Sequence, residues 1–185
     1  SFYETFNLKF ATKIADSASE GFQDVTFSIW INDKLIEKEL LVGGMSGIGN
    51  FIGILTWNEA SVTVGTPEYT QPEDPTEPTE PEDPTDPTEP EPENPSPEYL
   101  GYERITLKEL GIADGTYSGN KVNTVECPGG LNGKYLDVDV SYGESFDASS
   151  GIKIANTAAA SWDGIKIGVI STGSLVVNFT STNYT

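Results

Sequence analysis

The stretch FNLKFATKI, which spans Phe6–Ile14, decides the fold because its apolar and polar residues alternate. Phe6, Leu8 and Phe10 are large and apolar, and polar residues stand between them. Successive side chains of a β-strand point to opposite faces of the sheet, so this pattern puts one face on a core and the other in water. The stretch therefore predicts a half-buried strand.

Similar short runs occur on both sides of a central proline-rich segment. DVTFSIWIN, KYLDVDVSY and SLVVNFTS alternate in the same way, and FIGILTW, SVTVG, YERITL, GIKIAN and GIKIGVI are further strand candidates. We count about five strands before the segment and about six after it. Only LIEKELL (35–41) and LKEL (107–110) predict short helices. The chain is therefore predicted to be all-β, an antiparallel jelly-roll-like β-sandwich.

The central segment, residues 67–98, has a composition of its own. It holds twelve of the 29 acidic residues, eleven of the twelve prolines, and no lysine or arginine. Proline fixes φ and removes a backbone donor, and like charges repel, so we predict a disordered, extended linker. The rest of the chain has 17 acidic (29 less 12) and 10 basic residues, a net charge of −7 that is ordinary for a folded surface.

The two flanks, residues 1–66 and 99–185, are short for separate domains, and the single Cys127 gives neither of them a disulfide. If the end of the chain is joined to its beginning, the last strand candidate makes a hairpin with the first. We therefore interpret 99–185 as the N-terminal-type half and 1–66 as the C-terminal-type half of one sandwich. The halves would complement each other within a chain, between chains or along a tandem array. The alternative is two independent small β domains on a flexible tether.

Several classes of function are disfavoured by composition. The chain has no histidine and one cysteine, which excludes histidine-based triads and cysteine zinc sites. Its acidity disfavours nucleic acid, and it has no apolar run long enough for membrane insertion as a helix. Since it does not begin with Met, we expect it to be a segment of a longer protein. We expect no enzymatic activity and no catalytic residues.

Five aromatic residues are candidate ligand contacts. The alternation of its strand places Trp30 on the polar face, where an exposed ring would be a stacking platform for a sugar. Packing against a neighbouring strand or burial under a loop is the alternative. The other candidates lie near predicted turns, where a sandwich usually builds its ligand surface: Tyr117, Tyr135, Tyr142 and Trp162.

Asp137 and Asp139 have the same parity on one strand and lie about 7 Å apart by strand geometry. Two carboxylates at that distance are able to share a calcium ion with loop carbonyls, or to act as paired acids in a glycosidase. The alternative is an ordinary solvated strand face. A calcium ion is therefore the one cofactor that we consider.

Read from YERITLKELGIADGTYSGN through to ASVTVG, the joined flanks resemble the concanavalin- or laminin-G-like jelly rolls that recur in large surface proteins of Gram-positive gut bacteria. The 67–98 segment resembles the Pro-Thr-acidic linkers of cellulosomal scaffolds and surface adhesins. These resemblances imply an extracellular, cell-surface location within a modular protein. Members of such families bind glycans or protein partners, and no binding motif of theirs aligns here residue by residue.

Together these observations predict a non-enzymatic structural or adhesive module. Its expected partners are neighbouring copies of itself or other modules of the parent protein, with neither nucleic acid nor membrane insertion. A carbohydrate-binding module that uses the surface aromatics is the alternative.

Overall fold

The computed structural model describes residues 5–19, 22–45, 49–71, 91–127, 130–145, 147, 149–156, 158, 164–169 and 175–180. The described part contains strands, turns and no helix, and nearly all of its strand pairs are antiparallel. The all-β sandwich prediction is therefore confirmed. The jelly-roll topology stays a prediction. The disordered linker also stays a prediction for residues 72–90, which lie outside the described part, whereas Pro95 and Pro97 at its end are buried in the structure.

Two sheets form the sandwich. The first contains β1 (Phe6–Ser19), β2 (Phe22–Ile31), β3 (Lys34–Met45), β5 (Ser61–Gly65), β6 (Glu103–Ile105), β7 (Gly115–Ser118) and β9 (Lys134–Tyr142), in the order β3-β2-β1-β9-β5-β7 with β6 parallel to β9. The second contains β4 (Phe51–Thr56), β8 (Lys121–Glu126), β10 (Gly151–Ala155), β11 (Gly164–Val169) and β12 (Leu175–Thr180), in the order β12-β11-β10-β4-β8.

The main core lies between the sheets and follows the sequence alternation. Leu8 and Phe10 of β1 and Leu136 of β9 are buried on the inner face, against Ile52 of β4 and Ile152 of β10 in the same cluster. Each such side chain contributes about 1.5–3 kcal/mol when fully buried. The inner-facing residues of both sheets therefore provide the main stabilisation of the fold.

Strands from the two flanks share both sheets. In the first sheet, β9 from the second flank lies between β1 and β5 from the first. In the second sheet, β4 from the first flank lies between β10 and β8 from the second. A Cβ on Gly53 of β4 would overlap the backbone oxygen of Asn123 in β8, so this contact between the flanks is close enough to require glycine.

The two predicted helices are wrong. Residues 35–41 belong to β3, whose pairing with β2 overrides an apolar spacing that suits a helix. Ser28 Oγ accepts a hydrogen bond from the Glu39 amide (2.9 Å), and Glu39 has a φ of +48°, where the β2–β3 register is irregular. Residues 107–110 form a turn that ends at Gly111, whose φ of +99° stops any continuation as a helix.

Candidate functional site

A cavity of about 370 Å³ opens on the outer face of the first sheet. We call it the linker-root cavity, because much of its wall comes from the residues that flank the acidic segment. Its lining comprises Lys9, Trp30, Asp33, Glu68, Tyr69, Thr70, Asn94, Ser96, Pro97, Glu98, Tyr135 and Asp137. Its size falls within the range of ligand pockets.

Three neighbouring strands form the floor of the cavity, and their pairing register brings the floor residues side by side. Lys9 of β1 lies directly opposite Trp30 of β2 on one side and Asp137 of β9 on the other. Tyr135, two residues before Asp137, shares its face of the sheet. The alternation that buries the inner face therefore gathers these four polar or amphipathic side chains on the outer face.

The walls come from the two ends of the acidic segment, which converge on one edge of β9. β5 pairs with residues 139–142 of that edge and β6 with residues 134–136, so the two short strands lie end to end. The chain leaves β5 at Gly65 and enters β6 at Glu103. Residues 68–70 and 94–98 consequently face each other across the same cavity.

Residues 91–97 are fixed to the sheet by specific contacts. The indole N–H of Trp30 donates to the carbonyl oxygen of Pro95 at 2.8 Å. The Asn94 side chain accepts from the Leu35 amide (2.6 Å) and donates to the Asp33 carbonyl (2.7 Å). Pro95 and Pro97 are buried. The end of the acidic segment is thus a packed part of the sandwich.

Beneath the cavity lies a second, smaller core on the outer face. Ala11, Trp30, Tyr102 and Tyr135 are buried there, with Leu35 and Leu100 packed against them. Burial raises the pKa of the Tyr135 hydroxyl, and its hydrogen bond to Glu98 raises that pKa further. Burial also raises the pKa of Tyr142, at the end of β9.

These tyrosines predict a loss of stability at alkaline pH. A tyrosine whose pKa is higher in the folded than in the unfolded chain stabilises the fold fully below its ordinary value of 10.0 and progressively less above it. We expect tyrosinate absorbance from these two groups to appear together with loss of the folded circular-dichroism signal. Ionisation of all eight tyrosines near pH 10 in a chain that stays folded would contradict this expectation.

Arg104 of β6 connects the start of the acidic segment to β9. Its Nε donates to Asp137 Oδ2 at 2.6 Å, and its Nη2 donates to the Pro67 carbonyl at 3.0 Å. Its guanidinium lies 4.7 Å from the centre of the Tyr69 ring. Asp137 is 3% exposed, so this ion pair is largely removed from water.

The structure brings together three of the seven residues that were predicted as candidates. Trp30, Tyr135 and Asp137 line the linker-root cavity. Trp30 is 1% exposed and lies beneath the 91–97 segment, which corresponds to the alternative of burial under a loop and not to an exposed platform. Trp162 lies outside the described residues.

Tyr117 and Tyr142 lie apart from the cavity. Both pack against the core between the sheets. The Tyr117 hydroxyl donates to the Ala113 carbonyl (2.7 Å), and the Tyr142 hydroxyl donates to the Ile167 carbonyl (3.3 Å). The Tyr142 ring also stacks on Phe6, with ring centroids 6.4 Å apart. Their positions fit structural packing.

Asp137 and Asp139 do share one face, and protein donors contact both oxygens of Asp137 and one oxygen of Asp139. The side-chain amide of Asn7 donates to Oδ1 of Asp137 (2.9 Å) and to Oδ1 of Asp139 (3.2 Å), while Arg104 donates to the other oxygen of Asp137. Within the described ranges, no group of three or more Asp, Glu, His or Cys side chains is arranged to hold a metal ion. A calcium ion shared by this pair stays a prediction.

Sequence reasoning missed Tyr69, Glu98 and Arg104. Tyr69 and Glu98 stand near the two ends of the acidic segment, and Arg104 follows it closely. An aromatic residue inside TPEYT, in a segment otherwise made of small and acidic residues, was the available signal. It becomes informative only once both ends are known to meet on one sheet.

Comparisons with known proteins give no relative for this chain. No family model, no curated protein and no solved structure matches it. Nor is there, in the part of the chain that the structure describes, a helix of the length and apolar character needed to cross a membrane. Interpretation of the site therefore depends on its own geometry.

Proposed function

We propose that this chain is a non-enzymatic structural and adhesive β-sandwich module of a larger extracellular protein, closed within one chain. The observation that carries the proposal is that the flanks alternate in both sheets. β9 and β4 each pair on both sides with strands from the opposite flank. The second flank supplies the N-terminal-type half and the first flank the C-terminal-type half.

This arrangement suits a structural role. Separating the flanks requires breaking the β1–β9, β5–β9, β4–β10 and β4–β8 ladders and exposing the core between the sheets. Cutting the acidic segment breaks none of them. Such a module would keep its shape when its longest connection is cleaved.

The acidic segment then has a role other than that of a spacer between domains. Since residues 68–70 and 94–98 line one cavity, the residues between them start and finish at the same place on the sandwich. Residues 72–90 carry eight of the acidic residues and no basic ones. This strong negative charge disfavours anionic partners. Its Pro-Thr-acidic composition supports the extracellular setting.

The contacts of three of the four cavity carboxylates support a binding role over a catalytic one. Asp33 is paired with Lys9, Glu98 accepts from the Tyr135 hydroxyl, and Asp137 is held by Arg104 and Asn7. A general acid or base has to exchange protons with a substrate, and these groups are engaged in positioning the wall.

The test is to cleave the acidic segment in the native protein. A protease site placed within residues 72–90 should yield two fragments that elute together on a native sizing column at the position of the uncut chain. The nicked protein should unfold in one cooperative transition, and neither form should release reducing sugar from a polysaccharide panel. Fragments that elute as separate folded particles would refute the proposal. A polysaccharide-degrading activity that stays with the protein after repurification would also refute it.

A further inference from the structure

We propose that the linker-root cavity is a docking site for an extended, proline-rich peptide that carries lysine or arginine, supplied by a partner protein. This inference rests on the adhesive role proposed above and names its partner by chemistry. Two features of the described residues carry it: the way the sheet already holds a proline-rich segment, and the charge of the cavity wall.

The first feature is that the sheet already holds a proline-rich segment of its own chain. In the segment EPENPSP, residues 91–97, Pro95 and Pro97 are buried, and the Trp30 indole donates to the Pro95 carbonyl. Proline-rich peptides are recognised by aromatic-lined grooves, because their rings present apolar surface and their carbonyls lack internal hydrogen bonds. The outer face of the first sheet therefore already binds this chemistry intramolecularly.

The cavity lies next to this segment, because Ser96, Pro97 and Glu98 belong to its lining. Trp30 and Tyr135 line its floor but are 1% and 0% exposed, so the aromatic ring that a ligand reaches is Tyr69, which stands at the wall with 48% of the residue exposed. One face of the Tyr69 ring lies against the Arg104 guanidinium, and the same guanidinium donates to the Pro67 carbonyl. Tyr69 is thus an oriented and partly exposed ring, which suits the packing of a further proline.

The second feature is charge, which selects among proline-rich peptides. Of the four carboxylates that line the cavity, Asp33 is paired with Lys9 and Asp137 with Arg104, so the net negative charge of the lining comes from Glu68 and Glu98. The acidic residues 72–90 begin two positions after Thr70. An acidic Pro-Thr-Glu segment of another copy would be repelled, whereas a peptide with lysine or arginine gains attraction at the rim, where Glu68 is exposed. The partner is therefore a basic proline-rich segment and not a second copy of this acidic one.

The test measures binding of three fluorescently labelled synthetic peptides to the full chain. A Pro-Thr-Lys repeat is the proposed ligand, a Gly-Thr-Lys repeat keeps its charge without proline, and a Pro-Thr-Glu repeat keeps proline with the opposite charge. We expect saturable binding of the first, and binding at least about tenfold weaker for each of the others. A neutral oligosaccharide panel is run as a competitor.

Variants locate the binding within the cavity. Tyr69→Ala should weaken binding of the Pro-Thr-Lys peptide by about tenfold or more. Tyr99→Ala removes a ring outside the cavity that is somewhat more exposed than Tyr69, and it should leave binding unchanged. Glu68→Lys should weaken binding, and Glu59→Lys, at an exposed turn away from the cavity, should weaken it less. Thermal unfolding of each variant confirms that it is folded.

Each other outcome overturns the inference. Equal binding of the proline and glycine peptides would mean charge attraction alone. Unchanged affinity in folded Tyr69→Ala and Glu68→Lys would place binding elsewhere, and displacement by an oligosaccharide would assign the cavity to a sugar. If no peptide binds while the nicked chain stays one particle, the docking site is wrong and the structural module stands. If the nicked chain falls apart, the proposed module is wrong.

Discussion

Residues 1–71 and residues 91–185, each produced without the other, are expected to be unfolded. The first fragment keeps β1, β2 and β3 but loses β9 from one edge of β1, and its β4 loses both neighbours. The second fragment loses β1 from one edge of β9 and β5 from the other, where only the three-residue β6 stays, and it loses the strand between β10 and β8. Each fragment loses its share of the core between the sheets, so the free energy of unfolding, typically about 5–15 kcal/mol for a domain, should disappear.

Circular dichroism and amide hydrogen exchange on each fragment check this expectation, since unfolded fragments exchange within the dead time of the measurement. Mixing the two fragments in equal amounts should restore the spectrum and slow exchange of the intact chain. The matched control is the intact chain with its acidic segment cleaved, which contains both sets of strands. A cooperative unfolding transition in either isolated fragment would contradict the shared-sheet architecture.

Replacing Arg104 with alanine is expected to destabilise the chain by about 3 kcal/mol, the lower end of the range for breaking a buried ion pair. Asp137 would keep its hydrogen bond from Asn7 but would lose the cation that faces its other carboxylate oxygen. It is 3% exposed, so water replaces that cation poorly. The substitution also removes the hydrogen bond to Pro67 and the contact with Tyr69.

Urea unfolding of Arg104→Ala against the unaltered chain measures the effect. Lys38→Ala is the matched control, because it removes an ion pair to Glu91 in which both side chains are well exposed. Exposed pairs contribute little, so we expect no measurable change from it. Equal destabilisation by the two substitutions would show that the Arg104–Asp137 pair is no more important than a surface contact.

Much of the sheet architecture was predictable because period-two alternation records burial directly. Leu136 and Val138 of β9 point into the core, and Tyr135 and Asp137 point away from it, as the alternation of KYLDVDVSY indicates. Residues 35–41 were mispredicted because their apolar spacing suits a helix as well as an irregular edge strand. Only the pairing with β2, which involves residues distant in sequence, decides between them.

The site was less predictable, because its walls are assembled across long sequence separations. The alternation of β2 correctly predicted the face of the sheet on which Trp30 lies. The residue that covers the Trp30 ring is Pro95, 65 residues away in sequence. Tyr69 and Arg104 likewise meet only because β5 and β6 share one edge of β9. The local alternation of polar and apolar residues does not indicate contacts between residues that are distant in sequence. The sequence analysis therefore identified part of the cavity floor and missed most of its wall.

The convergence of Gly65 and Glu103 on one edge of β9 also affects how freely the length of the acidic connection is able to change. For a loop between fixed ends, the entropy of closure grows with the logarithm of its length, so each doubling costs only about 0.6 kcal/mol. Doubling the 19 residues from 72 to 90 would therefore hardly alter the stability of the sandwich. Insertions and deletions there are nearly neutral for folding, and the number of Pro-Thr-acid repeats is free to diverge between related proteins.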